Sequence, residues 1–449
     1  MAARKGGGPD GGTEDDERGG LLGTMFRSLA VRNFRVFVLG QLGSVVGTWM
    51  MVVAQDWLVL GLTGDSGTAL GTVTACQFAP LLLLTLYAGG LADRHDKRRL
   101  LVAANLAAAA LSLVLAALVL TDAVRLWHVY VLALALGTVN AVETPTRMSF
   151  VSELVGARLL PNASALSGAY FNVARVVGPA LAGLLISRWD TGPVMLLNAV
   201  SYLATVAGLR LVRPGELHRS ARRPGRASVG DGIRHVRARR DLLLPMALVA
   251  AVGVTGFSFQ AALPLLAKTV LRTDAEGFGL LTTALAAGSL TAALATTARR
   301  GRPPFALVLG SALVLGTAVV LTGLGALGGP VVPLLFCTGL ASTAFAQAAN
   351  HHIQLGTDPA FRGRVTALYT LVSQGTTPLT ALLTGTVAEL YGVRSALVLG
   401  GTGCVLAALA AAAPAAYGRL RRRPADPPGG EPEAPPTPGR DTRRGVTRS

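Results

Sequence analysis

Inside its long apolar runs this sequence has few side chains that can carry charge or a strong dipole, and some of them recur at fixed spacings. Asn140, Glu143, Thr144 and Arg147 follow one another at i, i+3, i+4 and i+7, and Gln347, Asn350, His351 and Gln354 repeat that spacing in the second half of the chain. On a helix either set occupies one face. Glu143 and Arg147, one turn apart, can pair. Gly168, Asn172, Arg175 and Pro179 share another face, with Gly183 one turn beyond. An arginine in the middle of an apolar run faces a cavity or a carboxylate; Arg175 is therefore a candidate substrate or coupling residue, with an internal structural pair as the other reading. A third stripe joins Gln41, Ser44, Thr48 and Gln55. It suits either a cavity lining or helix–helix hydrogen bonding. Asp56 beside it is a candidate protonation site.

Metal chemistry has little support. Cys76, Cys337 and Cys404 each lie alone, and His352 projects about 100° from His351, a poor chelate. No GxxxxGK[ST] loop for nucleotide phosphates is present, and no cluster of His, Asp, Glu or Cys has the spacing of an active site. Neither a cofactor nor an enzyme is expected.

These residues must be held by membrane helices. Of 449 residues 51% are hydrophobic and 14% charged, a balance a water-soluble domain could not bury. Apolar runs near 34–60, 68–90, 100–120, 126–147, 161–186, 193–212, 242–267, 278–298, 305–326, 330–353, 365–388 and 395–417 are long enough to cross a bilayer. Only Arg125, Arg188, Lys268, Arg272 and Arg394 fall in the loops opposite the N-terminus, and Arg175 inside a run; every other Lys and Arg lies on the N-terminal side. The positive-inside rule then predicts both termini in the cytoplasm. Trp57, Trp127 and Trp189 fall at the opposite ends of their runs, where indoles favour the interface. The net charge of +17 sits in loops, without the aromatic platforms of a nucleic-acid module.

The stretch "GGLADRHDKRRLL" from Gly89 resembles the loop between spans two and three of the major facilitator superfamily, with Gly89, Leu91, Ala92, Asp93, Arg94, Lys97, Arg98 and Leu101 matching position by position. Asp96 stands where most of the superfamily has glycine. Together with "ETPTRMSFVSELVGARLLPNASAL", "FNVARVVGPALAG" and "FRGRVTALYTL", it is similar to the branch of drug–proton antiporters that includes the enterobactin exporter. The resemblance implies an all-α polytopic fold of twelve transmembrane helices in two six-helix bundles. It also implies a gating latch in which Asp93 faces the start of span eleven while Lys97 or Arg98 meets a carboxylate in span four, for which Glu143 is the candidate, its pairing with Arg147 being the alternative. Gly178, Pro179 and Gly183 would make a closely packed, kinked span five of antiporter type. The second half lacks such a latch carboxylate, since "ARRGRPP" from Ala298 is basic only.

The organisation expected is a disordered tail over 1–30, a first bundle over 31–212, a linker over 213–241 with a possible amphipathic helix, a second bundle over 242–418 and a disordered tail over 419–449. The chain is expected to work as a monomer in the cell membrane. It would export small amphipathic molecules of drug, antibiotic or siderophore type against protons, by alternating access; a lipid or nutrient moved inward by the same fold is the alternative.

Overall fold

The computed structural model describes residues 27–218, 229–297, 301–325, 331–359 and 361–420; the side chains of 85–90, 92, 93, 229, 231, 297 and 414–420 lie outside that description. Of the tails expected to be disordered over 1–30 and 419–449, residues 1–26 and 421–449 lie outside it as well, whereas 27–30 form a 3-10 turn and 419–420 continue the last helix. Among the described residues there is no strand.

A short 3-10 turn, Arg27–Ala30, leads into α1 (Arg32–Thr63). There follow α2 (Gly67–Arg94), α3 (Lys97–Leu120), α4 (Leu126–Trp189) and α5 (Thr191–Leu211). A ten-residue helix, α6 (Val229–Ala238), precedes α7 (Arg240–Thr255) and α8 (Ser258–Leu265), which with a π-turn over Leu266–Val270 make one membrane-length segment. The remainder are α9 (Ala275–Thr297), α10 (Phe305–Leu324), α11 (Val331–Gly356), α12 (Arg362–Tyr391) and α13 (Val393–Leu420). Among the described residues, ten segments are long and apolar enough to cross a membrane. One of them, α4, is 64 residues long and bends at Gly156, where φ is 71°. Each arm holds about thirty residues, more than a single crossing needs. With α12, whose Thr, Ser and Gln make it more polar, the crossings number twelve. Spans four and five thus join through one glycine in a conformation that Cβ-bearing residues avoid.

Turn chemistry sets the other ends. Gly64, at φ 62°, terminates α1, and Gly392, at φ 86°, separates α12 from α13. Ser66 caps α2 by accepting from the Ala69 N–H at 3.1 Å. Asp96 caps α3, its Oδ1 accepting from the Arg99 N–H at 3.1 Å. This gives the residue that departs from the superfamily pattern a local role: an aspartate is a strong N-cap where glycine is a weaker one.

Packing inside each half relies on small residues, as expected between helices that have lipid rather than water outside. Where α1 crosses α5, a Cβ on Gly40 would sit 3.0 Å from the Ala204 carbonyl oxygen, and Thr205 Oγ1 donates to the Gly40 carbonyl at 3.1 Å. Where α7 crosses α12, Thr380 Oγ1 donates to the Gly253 carbonyl at 2.7 Å. The first half also has an aromatic and aliphatic core of Phe34, Phe37, Leu101, Phe150 and Leu154, with the Phe37 and Phe150 rings edge to face at 5.7 Å.

Candidate functional site

The end of the molecule at which α1 begins, the near end, holds most of the charged contacts. Lys97 at the start of α3 pairs with Glu153 at 2.7 Å, both side chains 14% exposed. Glu153 lies at the end of the first arm of α4, ten residues beyond Glu143, so the lysine reaches a different carboxylate from the one expected. Arg98 meets no carboxylate among the described residues. It donates through Nε to the Leu209 carbonyl at 2.7 Å and through an η nitrogen to the Arg210 carbonyl at 2.9 Å, satisfying the end of α5, a favourable place for a cation. Arg94 is exposed at the end of α2, and Asp93 lies outside the described side chains.

The second half has its own near-end network. Arg302, in the loop read from sequence as purely basic, lies 3.7 Å from Asp241 in the first turn of α7 and donates to the His352 carbonyl at 3.1 Å. His352 is buried, with Nδ1 2.8 Å from the Pro303 carbonyl oxygen. Arg239 joins Asp241 at 2.9 Å and Asp358 at 3.4 Å. The linker helix α6 belongs to the same cluster, because His235 stacks on Phe361 at 4.3 Å and Val236 is buried.

Midway along the helices, Glu143 and Arg147 form an ion pair at 3.0 Å within α4. Arg175 finds no carboxylate among the described residues; its guanidinium lies over the Trp49 ring of α1, 5.4 Å from the centroid, and Trp49 packs edge to face on Phe171. Such a cation–π contact compensates part of the hydration that the arginine lacks. Asn172 turns back to donate to the Gly168 carbonyl of its own helix at 2.8 Å. Gln41 is buried and its amide nitrogen has no partner among the described residues; Gln55 accepts from Gln77 of α2 at 3.1 Å. Asp56 is partly exposed and forms no hydrogen bond or ion pair among the described residues. In the second half Gln347 accepts from Thr296 of α9, Asn350 accepts from Gln354 at 2.7 Å, and His351 is exposed. The polar faces of α4 and α11 are therefore mostly closed by local hydrogen bonds. Among the described residues, Arg175, Asp56, Gln41 and His351 show no carboxylate or hydrogen-bond partner.

At the opposite, far end the two halves touch through backbone. A Cβ on Gly67 of α2 would stand 2.5 Å from the Gly385 carbonyl oxygen of α12, and one on Gly71 would run into the Ala381 carbonyl. Further along, Gly375 meets Leu82. Residue numbers fall on α12 as they rise on α2, so the pair is antiparallel. Gly178, Pro179 and Gly183 of α4 divide their contacts: Gly178 fits against Trp49 and Val46 of α1, while Gly183 lies against Ala275 and Gly279 of α9, with the Pro179 carbonyl also on Gly279. Thr283 of α9 adds a bond to the Val176 carbonyl at 3.4 Å.

Polar struts flank these seams. Lys268 bonds Asp65 at 2.7 Å and lies over Trp57, which stacks on Phe278. Glu389 Oε2 accepts from the Thr68 N–H at 2.8 Å and the Ser66 hydroxyl at 2.7 Å. Those donors, the backbone one foremost, hold its carboxyl below the usual range. A hollow of about 490 Å³ opens beside them, lined in part by Asp65, Thr269, Glu389, Tyr391 and Arg394. None of Asp65, Glu153, Lys268 and Glu389 had been singled out from sequence. For Asp65, Lys268 and Glu389 the signal was isolation, a charge at the end of a span in far-end loops with few others; Glu153 had no such signal, lying among the many charges of the near end.

A family model described as a transmembrane secretion effector matches residues 23–422. The "Staphyloferrin A transporter" of Staphylococcus aureus is 26% identical over 79% of this chain and 89% of its own length. The "Multidrug efflux pump Tap" of Mycobacterium tuberculosis is 29% identical over 80% of this chain and 88% of that protein. Among solved structures, a bacterial homologue of the human lysosomal transporter Spinster, inward-facing and unoccupied, superposes with a TM-score of 0.66 at 15% identity, over 89% of this chain and 97% of that one.

Proposed function

Because the chain belongs to the transmembrane secretion effector family of major facilitator transporters, multi-pass proteins of the cell membrane that handle small molecules, we propose that it is a secondary active exporter of amphipathic compounds such as antibiotics, dyes or siderophores. The observation that carries the mechanism is the far-end closure. Two glycine-lined seams, α2 against α12 and α4 against α9, bring the halves into backbone contact at one end, as one state of an alternating-access cycle requires. In this reading both termini are cytoplasmic, the closed end faces outward, and the pathway opens toward the cell interior. The protein acts as a monomer and converts no substrate chemically.

Protons supply the energy, with Asp56, Glu143 and Arg175 as the coupling candidates. Asp56 and Arg175 fit best, since Glu143 already has Arg147 at 3.0 Å. Gln41, Asn172, Gln347, Asn350 and His351 are the candidate lining. The near-end latch completes the cycle. The antiparallel register of α2 and α12 carries the residue-93 end of α2 toward the start of α12, where unpaired N–H groups would attract a carboxylate when the near end closes. Asp93→Asn is expected to lower export at least about fivefold with unchanged protein in the membrane; unchanged export removes the latch.

The direct test measures accumulation of a panel of dyes, antibiotics and siderophores in cells with and without the protein. Reduced accumulation of at least one compound is the expected result. Faster entry of a compound, with none excluded, overturns the exporter reading.

A further inference from the structure

We propose that Glu389 is the latch of the far-end gate: a carboxylate from α12, in the second half, that completes the N-terminal cap of α2 in the first half and must be released before the far end opens. The inference rests on the alternating-access reading above and adds a residue to it.

The first N–H groups of a helix have no acceptor within it. At the start of α2 the Ser66 hydroxyl takes the Ala69 N–H at 3.1 Å, and the Thr68 N–H is left over. Glu389 takes it at 2.8 Å, and the Ser66 hydroxyl donates to the same carboxylate oxygen at 2.7 Å. Cap and latch are thus one network, with Ser66 accepting on one side and donating on the other. The negative charge also faces the positive end of the helix dipole.

Position turns this bond into a gate element. Glu389 lies one turn beyond Gly385, whose approach to Gly67 is among the tightest points of the α2–α12 seam. Separating the helices at this end breaks both bonds. Lys268–Asp65 at 2.7 Å is a parallel strut from the π-turn to the α1–α2 turn, and Arg394 lines the same hollow. Because α2 and α12 are antiparallel, Glu389 and Asp93 occupy equivalent places, each near the C-terminal end of its helix, at opposite ends of one seam.

The test places spin labels at Ala123→Cys and Arg272→Cys, two exposed far-end positions, with the native cysteines replaced, and measures the distance distribution by pulsed electron resonance in nanodiscs without substrate. Glu389→Ala is expected to raise the population at the longer, opened distance about threefold or more, and Glu389→Gln, which keeps an oxygen acceptor, by less. Ser66→Ala should raise it in the wild-type background and add little to Glu389→Ala. Melting temperatures and membrane levels report folding, and Ser66→Ala supplies an independent variant should Glu389→Ala fold poorly. Distance distributions unchanged in Glu389→Ala, or full additivity of the two substitutions, overturn the latch. Because no substrate enters the measurement, that failure leaves the accumulation test of export untouched.

Discussion

At the level of single residues, partners decide which charges are free to work. Lys97 and Glu153 are mostly buried and satisfied by each other at 2.7 Å, so Glu153→Gln leaves an ammonium without its counter-charge in a poorly hydrated place. Loss of about 1–2 kcal/mol of stability is expected, read as a melting temperature in detergent lower by about 2 °C, with Lys97→Met restoring part of it in the double variant. Glu389 gives a pH prediction. It lies one residue beyond the apolar run of α12, and its carboxyl titrates below the ordinary value of 4.5 because the bonded form is the charged one. Its contribution is present above that ordinary value and is lost only as the pH falls through the depressed one. Changing the external pH between about 5.5 and 8 should leave the far-end distance distribution unaltered through this residue. The polar repeats on α4 and α11 were legible from spacing alone. The Asn350–Gln354 bond is itself an i, i+4 pair within α11; what spacing could not convey was that Gln347 would be occupied by Thr296, or that Lys97 would choose Glu153, since both choices depend on how neighbouring helices cross.

At the level of elements, hydropathy located the spans because each must be apolar over the bilayer thickness, and their ends followed from caps such as Ser66, Asp96 and Gly64. The bend in α4 was less visible. Spans four and five were expected to be joined by a loop, whereas a single positive-φ glycine, Gly156, makes the turn with the His218 ring packed 3.2 Å from where its Cβ would be. The antiporter-type stretch was legible as a packing motif, but that Gly178 serves α1 and Gly183 serves α9 needed the three-dimensional contacts. Gly183→Ala places a methyl carbon 2.8 Å from the Ala275 carbonyl oxygen, closer than packing allows. Forcing α4 and α9 apart should destabilise the closed far end by about 1–3 kcal/mol, seen as a larger open population between the same pair of labels. Ala182→Gly, on the adjacent residue, should not have this effect.

For the whole molecule, the apolar runs anticipated a polytopic membrane protein and the resemblance carried by the stretch from Gly89 implied a two-bundle transporter, and the match over residues 23–422 establishes the family. The energy source is a property of this scale. If protons drive export, an uncoupler that collapses the gradient should abolish the difference in dye accumulation between expressing and non-expressing cells, and an imposed outside-acid gradient should restore it. Persistence of the difference after collapse would assign the energy elsewhere. The far-end seams have one more consequence. Their tight contacts are made by glycines and carbonyl groups, so closure is written largely in the backbone, whereas in the proposed reading selection of cargo falls to lining side chains, with Arg175 and Gln41 as candidates. Substitutions that re-tune what is carried leave the moving joint untouched, and one set of mechanics can serve chemically unrelated cargoes.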